Sequence, residues 1–306
     1  MPLRRIRDLA FVEGAVIREE LPKDSTVEYI DLLVTGDIGG AGAGVPLNAA
    51  RLLARCELQA NGKPLYDMQG IELYRLNSAL QGENIEQEIA NPAGGVVPLF
   101  FLLRFWLTDP KGRNPQRADL NLRRLEQLSL AVTVGTVANI FTGGVQTLAN
   151  LRARIFYGET LGRGGDAVVV NRAFEYVLTG ARQIIEWKER GAVLKAMLVT
   201  LRNAGGVEVD NGLNVFGLRV DGKTSLIDEL PFEYIRALTT FATGLDAAEI
   251  DAGVGYWDFD PDKRGRGLPT LDGVNTELEL EGTVAFTVRI IRRQYVPLEA
   301  YLSVGR

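Results

Sequence analysis

The sequence predicts an all-β protein built from two similar β-sandwiches in tandem, with one short helix in each. Three observations support this prediction. A Trp-x-x-Asp-Pro stretch occurs twice, turn signals separate many short runs rich in β-branched and aromatic residues, and a length of 306 residues is typical of two domains. We place the first domain at residues 1–160 and the second at residues 161–306.

The internal repeat consists of a Trp-x-x-Asp-Pro corner, an Asx-Gly-Lys turn and a helical Tyr, each present twice in the same order. The two turns and the two Tyr residues lie 221 − 61 = 160 positions apart, and the two corners lie 257 − 106 = 151 apart. A falling offset is expected when two copies of one unit lose loop residues independently. The alternative is that turn-rich β-proteins share such turns by necessity. The predicted repeat anchors are Asn61, Gly62, Lys63, Tyr74, Trp106, Asp109, Pro110, Asp221, Gly222, Lys223, Tyr234, Trp257, Asp260 and Pro261.

Strand-forming runs in the first unit lie at residues 11–17, 27–35, 52–60, 96–107, 125–134 and 151–157. The run 96–107 is continuously apolar, which predicts a strand buried on both faces, whereas 125–134 alternates and predicts a half-buried strand. Residues 36–44 contain five glycines but match neither a phosphate-binding nor a dinucleotide-binding loop. We interpret them as a flexible connection between strands.

A turn and a helix follow the third run. Asn61-Gly62 is typical of a type I′ turn, because both central residues of that turn need a positive φ. Asp67 is predicted to cap a short helix. The i, i+3, i+7 spacing of the leucines places them on one buried face of that helix, at Leu73, Leu76 and Leu80.

The second unit repeats this order after a Gly-rich linker at residues 158–166. Its strand-forming runs lie at residues 174–179, 183–188, 194–201, 214–220, 254–259, 277–280 and 283–294, which is one short of eight. Pro231 is expected at the first position of the second helix. Tyr234, Leu238 and Phe241 are expected to form its core-facing stripe.

Composition excludes several classes of function. The chain has no histidine, which removes His-ligated metals, Ser-His or Cys-His nucleophile pairs and a His general base. A net charge of −5 argues against a general nucleic-acid binder. The single cysteine, Cys56, excludes an intrachain disulfide and is expected to be a buried apolar residue. We expect no cofactor, no resident metal, no catalytic residue, no signal peptide and no membrane-spanning segment.

Two weak chemical alternatives remain open. Asp258, Asp260 and Asp262 have the 1, 3, 5 spacing of a calcium loop, but Lys263 stands where an EF-hand needs Gly, so the ordinary interpretation is that Asp260 caps a turn. A glycosidase needs only two carboxylates and no histidine, yet no acid in the chain stands out.

Basic residues follow both corners and line the last strand. Those residues either form a solvated surface or bridge a subunit interface, where Arg is enriched. They are Arg113, Lys263, Arg264, Arg266, Arg289, Arg292 and Arg293. At the N-terminus, Arg4, Arg5 and Arg7 either belong to a frayed, solvated end or touch anionic lipid headgroups.

Taken together, the order of these motifs resembles that of the double jelly-roll major capsid proteins of tailless, membrane-containing icosahedral double-stranded DNA phages, the corticovirus-like and tectivirus-like branch. The resemblance covers residues 11–296. It rests on Asn61-Gly-Lys63, the helix around Tyr74, the apolar strand into Arg104-Phe-Trp106 and the following strand at residues 128–134, with the set repeated from Asp221 to Arg293.

The resemblance implies two eight-stranded jelly rolls side by side in a chain with no catalytic residues. It implies a homotrimer of pseudo-hexagonal outline that tiles an icosahedral shell over an internal lipid membrane, after assembly in the host cytoplasm. Expected partners are other copies of the chain, minor capsid, vertex and membrane proteins, and lipid headgroups, with no specific nucleic acid. The alternatives are a two-sandwich enzyme or binding module acting on glycans, and a phage spike or tail component.

Overall fold

Strands make up most of the computed structural model, which describes residues 2–110, 119–162, 164–187, 191–220, 224–260, 267–270 and 275–302. The strands of the first unit are β1 (Leu3–Ala10), β2 (Val16–Glu20), β3 (Thr26–Ala41), β4 (Val45–Pro46), β5 (Leu53–Ala60), β6 (Lys63–Met68), β7 (Gln87–Glu88), β8 (Val96–Trp106), β9 (Leu120–Asn121), β10 (Leu128–Val134), β11 (Phe141–Thr142) and β12 (Val145–Thr160). Short 3-10 turns at Ala49–Leu52, Leu122–Arg124 and Val137–Asn139 join some of them.

The second unit has the same kind of elements. Its strands are β13 (Ala167–Thr179), β14 (Gln183–Trp187), β15 (Ala192–Asn203), β16 (Leu213–Val220), β17 (Thr224–Leu230), β18 (Val254–Asp258), β19 (Leu268–Thr270), β20 (Thr276–Gly282) and β21 (Ala285–Pro297). Within the described ranges the helices are α1 (Gly70–Gln81) in the first unit, α2 (Phe232–Thr243) in the second and a four-residue α3 (Glu299–Leu302) near the C-terminus.

The two units have the same sheet topology. The first unit pairs its strands in the orders β1-β12-β3-β8 and β2-β10-β5-β6, and the second pairs them as β13-β21-β15-β18 and β14-β20-β16-β17. Two four-stranded antiparallel sheets in this order form a jelly roll. The all-β, double jelly-roll prediction is therefore confirmed. The principal strands absent from the sequence prediction are β1 and β6 in the first unit and β17 in the second, which bring each unit to eight.

Each jelly roll buries its own core between its two sheets. In the first unit Leu32, Phe101 and Phe105 are fully buried, and in the second Phe216 and Ile290 are. Burying a side chain of this size contributes about 1.5 to 3 kcal/mol. The predicted half-buried strand is confirmed as β10, where buried and half-buried residues alternate without exception. Strand β8 also alternates over most of its length, so the prediction that both of its faces are buried is only partly right.

The glycine-rich segment 36–44 is not a free connection, contrary to expectation. Its first six residues continue β3 to Ala41, and β12 pairs with them along one side. A Cβ at Gly36 would lie 2.7 Å from the Leu151 side chain, and Gly40 has a φ of +123° with the Val145 carbonyl oxygen 2.3 Å from any added Cβ. The glycines are therefore needed because the strands approach closely, which a sequence pattern cannot distinguish from flexibility.

The N-terminal segment is also ordered, contrary to the frayed-end interpretation. Residues 3–10 form β1 and pair with β12 from Leu3↔Gly158 to Ala10↔Arg152. The predicted strand 11–17 is instead a turn that leads into β2. Apart from a register shift between Arg5 and Arg7, β1 is therefore held along its length by antiparallel pairing with β12.

Helix α1 is buried along its whole length except for its last residue. Its leucine face is confirmed, since Leu73, Leu76 and Leu80 are all buried. The predicted Asp67 cap is wrong, because Asp67 belongs to β6. The N-cap is Gln69, whose backbone N–H donates to the Glu72 carboxylate at 2.8 Å.

Helix α2 turns a different face to the core than the spacing predicted. Its buried residues are Phe232, Ile235, Thr239 and Thr243. The predicted core stripe instead points outward, with Tyr234 49% and Phe241 86% exposed and Leu238 half-buried. Pro231 is the N-cap rather than the first helical residue.

The thiol of Cys56 is expected to be unreactive in the folded protein. It is fully buried on β5, and burial raises the pKa of its thiol. Because the thiolate is the reactive form, we expect no maleimide labelling under native conditions and complete labelling in denaturant. Leu3→Cys, at a residue that is 60% exposed, is the control and should label at once. Rapid native labelling of the wild-type chain would show that β5 opens.

Candidate functional site

Residues of the first repeat copy hold the C-terminal helix. Asn61 and Gly62 have φ values of +51° and +74°, which confirms positive φ at both central positions of the turn. The Asn61 side-chain amide donates to the Tyr301 carbonyl at 3.0 Å, and Lys63 Nζ donates to the Ala300 carbonyl at 2.5 Å. The Tyr301 hydroxyl in turn donates to the Pro64 carbonyl at 2.9 Å. The turn therefore ties the last helix of the second unit to the first unit.

The first Trp corner lies between the two units. Trp106 packs edge-on against Tyr29 with ring centroids 5.2 Å apart, and its carbonyl accepts a hydrogen bond of 2.6 Å from the Tyr66 hydroxyl. Asp109 is buried three residues after the end of β8, and Pro110 ends this described range. Tyr74 is buried in α1 and donates to the Ile85 carbonyl at 3.2 Å.

Part of the second copy lies outside the described residues, namely Asp221, Gly222, Lys223 and Pro261. Trp257 is half-buried and stacks on Phe259 at 5.9 Å. Asp260 is buried and accepts a 2.6 Å hydrogen bond from Lys195 Nζ, and its backbone N–H donates to the Asp258 carboxylate at 2.8 Å. The turn that Asp260 is predicted to cap begins at Pro261, outside the described residues, so that capping role stays a prediction.

The two helices align at a slightly different offset from the turns. Their glycine C-caps are Gly82 and Gly244, which lie 244 − 82 = 162 positions apart, compared with 160 for the two Tyr residues. Tyr234 is half exposed, unlike its predicted counterpart. The residue-by-residue equivalence of the fourteen anchors stays a prediction.

Buried polar residues from both units lie together in what we call the inter-unit cluster: Tyr66, Asp109, Asn171, Lys195, Asp260 and Arg293. Arg293 on β21 is 2% exposed. It donates to the Thr108 carbonyl of the first unit at 2.6 Å and to the Asn171 amide oxygen at 3.3 Å. A cation at this depth is tolerated only with acceptors and negative charge around it.

The electrostatics of the inter-unit cluster are mutually supporting. Burial opposes the charge of Arg293, but the neighbouring Tyr66 and Asp109 outweigh burial, so the pKa of Arg293 is raised and the guanidinium stays protonated. Burial raises the pKa of Tyr66 to about 12, against the pull of Arg293, so this hydroxyl stays a hydrogen-bond donor. The arrangement therefore joins the two units through Arg293, which reaches the Thr108 carbonyl of the first unit and Asn171 of the second.

Helix α1 forms ion pairs with charged residues of the second unit. Arg75 donates to Glu208 at 2.9 Å and to Asp251 at 2.8 Å. One turn earlier in the helix, Arg289 donates to both oxygens of Glu72, which is completely buried. The solvated-surface interpretation is therefore wrong for Arg289 and Arg293, which bridge the two units of one chain.

Of the other basic residues predicted to share a surface, Arg292 is buried and stacks on Phe174 and Trp187, with its guanidinium carbon 3.4 Å and 4.6 Å from the ring centroids. Arg113, Lys263, Arg264 and Arg266 lie outside the described residues, as does Asp262 of the possible cation loop. No group of three metal-binding side chains occurs in the part of the chain that the structure describes.

Two clefts open along the junction of the units. The first, of 420 Å³, lies between α1 and α2 and is lined in part by Tyr74, Arg75 and Asp251. The second, of 700 Å³, is lined in part by Arg51, Arg202 and Glu208. Their charged groups are bound to one another, since Arg51, Arg75 and Arg202 all pair with Glu208.

The N-terminal arginines each have a carboxylate neighbour. Arg4 pairs with Asp24 and Glu159, Arg5 with Asp8, and Arg7 with Glu19. These pairs neutralise much of the positive charge that an anionic surface would attract. As for the membrane itself, the described helices are all too short or too polar to cross one.

Asp119 should give the protein a distinctive dependence of stability on pH. This buried carboxyl has its pKa raised to about 6, first by burial and next by the charge of Glu28, with Thr108 acting in the opposite direction. A raised folded pKa means that the folded state holds the proton more tightly, so stability falls as the pH rises to about 6. We expect Asp119→Asn to raise the midpoint of thermal unfolding above that pH and to have little effect at low pH.

Asp24→Asn is the control of opposite sign. Arg4 lowers the pKa of this exposed carboxyl, so its contribution is present at neutral pH and is lost as the pH falls. Melting curves of both variants across the pH range would check this. An Asp119→Asn variant that is less stable at every pH would show that the carboxylate is a structural acceptor.

Comparisons with known proteins were made by sequence and by structure. No protein-family model matches the chain, and no curated protein matches it by sequence. Solved structures do match. The STIV MCP, from the Sulfolobus Turreted Icosahedral Virus, superposes with a TM-score of 0.77 at 16% identity over 96% of each chain.

Two other solved structures match over similar lengths. The major capsid protein P2 from bacteriophage PM2 superposes with a TM-score of 0.69 at 13% identity, over 97% of each chain. The Faustovirus major capsid protein superposes with a TM-score of 0.62 at 9% identity, over 96% of this chain and 89% of that one. At such identities the similarity concerns the fold, and the chain has the double jelly-roll fold of these viral major capsid proteins.

Proposed function

We propose that the chain is a major capsid protein that assembles with copies of itself into an icosahedral viral shell. The observation that carries the proposal is that both jelly rolls, in order, superpose on capsid proteins over nearly the full length of each chain. The proteins it superposes on are structural, so a non-enzymatic role forms part of the proposal.

A duplicated jelly roll supplies a geometric reason for this function. A trimer of such chains presents six similar walls and fits positions of hexagonal symmetry while closing as a cyclic oligomer. The inter-unit cluster and the charges around α1 support this view, because their hydrogen bonds join the two units of one chain. We propose residues 1–160 and 161–306 as the two domains, and the fourteen repeat anchors as their corresponding positions.

The remaining parts of the proposal concern location and partners. The virion is the proposed location and the host cytoplasm the proposed site of assembly, with an internal membrane below the shell and minor capsid, vertex and membrane proteins as further partners. Contact of Arg4, Arg5 and Arg7 with lipid headgroups belongs to the proposal as a weak contribution, since all three are already ion-paired.

The test is the mass and form of the purified protein. Light scattering should give the mass of a trimer, 3 × 33.5 = 100.5 kDa, and electron microscopy at high protein concentration should show closed shells or hexagonal sheets. A chain that stays a monomer of 33.5 kDa under all assembly conditions would contradict the proposal. Trimers that form fibres instead of lattices would favour a spike or tail component.

A further inference from the structure

The two jelly rolls of one chain are joined through their sheet edges. Strand β6 of the first unit runs parallel to β13 of the second, with Tyr66 opposite Asn171 and Asp67 opposite Arg172. This pairing fuses one sheet of each unit into a continuous nine-stranded sheet. The joint therefore uses backbone hydrogen bonds, which any sequence can make, in addition to the side chains of the inter-unit cluster.

The same two kinds of edge remain open at the ends of the molecule. By sheet order, β17 occupies in the second unit the place of β6 in the first, and β1 occupies in the first unit the place of β13 in the second. Within the described residues β17 pairs only with β16, and β1 pairs only with β12. An open edge of this kind presents unpaired N–H and C=O groups to another chain.

We propose that β17 of one copy adds in parallel to β1 of a second copy and so repeats between chains the β6–β13 joint within the chain. The inference rests on the proposed function and deepens it by naming the contact. A contact between one end of a chain and the other end of the next is heterologous, so it closes into a ring if the rotation allows.

The register of this contact follows from the internal joint. In the first unit the Asn77 side chain bonds to both backbone groups of Arg104, at 2.7 and 2.8 Å. From Arg104 the neighbours across the sheet are Asp31 and then Phe156. Arg5 on β1 lies opposite Phe156.

In the second unit the same path begins at the other helix. The Thr239 hydroxyl accepts from the Tyr256 N–H at 2.8 Å and donates to the Tyr256 carbonyl at 3.4 Å. From Tyr256 the neighbours across the sheet are Leu198 and then Ile291. Ala173 on β13 lies opposite Ile291.

The two paths end on equivalent positions of the edge strands. Counting two residues back along each strand makes Leu3 the counterpart of Asn171, which lies opposite Tyr66 in the internal joint. On the other strand, Tyr66 pairs with Leu58, three residues before Asn61-Gly. Ile227 pairs with Leu218, three residues before Asp221-Gly, and is therefore the counterpart of Tyr66. Ile227 of one copy is therefore expected opposite Leu3 of the next.

Paired cysteines test this register directly, because Cys56 is buried. We expect the double variant Leu3→Cys/Ile227→Cys to be joined between chains by the shortest bismaleimide, giving covalent dimers and trimers on a denaturing gel. The matched control is Ala10→Cys/Ile227→Cys, in which the first thiol lies at the far end of β1. It should stay monomeric on the gel. A second pair one step along, Arg4→Cys/Asp228→Cys, should link like the first and guards against poor folding of one variant.

Light scattering of the same samples separates the two levels of the argument. Trimers in solution whose Leu3→Cys/Ile227→Cys chains link no better than the Ala10→Cys control would overturn the strand contact and leave the proposed function standing. Chains that remain monomeric in solution before any reagent is added would overturn both.

Discussion

Replacing Arg293 with Met should lower the free energy of unfolding by about 3 to 5 kcal/mol, the cost of removing one partner from a buried charge network. The substitution removes the donor to the Thr108 carbonyl and to Asn171. It also removes the cation that interacts favourably with the buried Asp109. Because Thr108 and Arg293 belong to different units, we also expect the two jelly rolls to unfold less cooperatively. Urea unfolding followed by tryptophan fluorescence measures both effects.

Arg293→Lys is the control for charge alone. It keeps the cation but loses the forked pair of donors, so its loss of stability should lie between those of the wild-type chain and Arg293→Met. An Arg293→Met variant as stable as the wild-type chain would show that water or rearranged side chains satisfy the cluster, and would remove it as the joint between the units.

Replacing Arg104 with Ala should lower the free energy of unfolding by a similar amount, about 3 to 5 kcal/mol. Arg104 binds both oxygens of the buried Asp31 at 2.6 and 2.8 Å and lies over the ring of Tyr29 at 3.6 Å. Burial already raises the pKa of Asp31 against the opposing effect of Arg104. Without the guanidinium we expect Asp31 to take up a proton on folding, so that the variant is relatively more stable at acid pH.

Arg55→Ala is a matched control for this variant. Arg55 binds both oxygens of Asp67 at 2.7 and 2.8 Å, the same geometry, but its side chain is 53% exposed. An exposed pair contributes about 0.2 to 1 kcal/mol. Equal losses in the two variants, measured by urea unfolding, would contradict the view that burial makes the difference.

The doubled jelly roll could be predicted because its signals are local. Strand β10 alternates apolar and polar residues, β5 ends at an Asn-Gly turn, and α1 carries leucines at helical spacing. Each signal depends on residues within about ten positions of one another. The capsid-like fold followed from the order of these signals and their repetition, which survive sequence change better than residue identity does.

Other features depended on partners far away in the chain. The glycines of β3 are explained only by how closely β12 approaches, and the two apolar stripes of α2 cannot be ranked without knowing where its sheet lies. Strand β17 was missed because an edge strand of mixed polarity has no strong periodicity of its own.

The sequence by itself determined the fold class, the two-fold repetition, the position of most strands and the absence of histidine chemistry, because composition and short-range periodicity encode these. Only the tertiary structure decided that the two units share a sheet through β6 and β13, and that Arg293 joins them by reaching Thr108, 185 positions away. The physical reason is that a buried cation and an open strand edge are defined by what surrounds them, and those surroundings exist only once distant parts of the chain have come together.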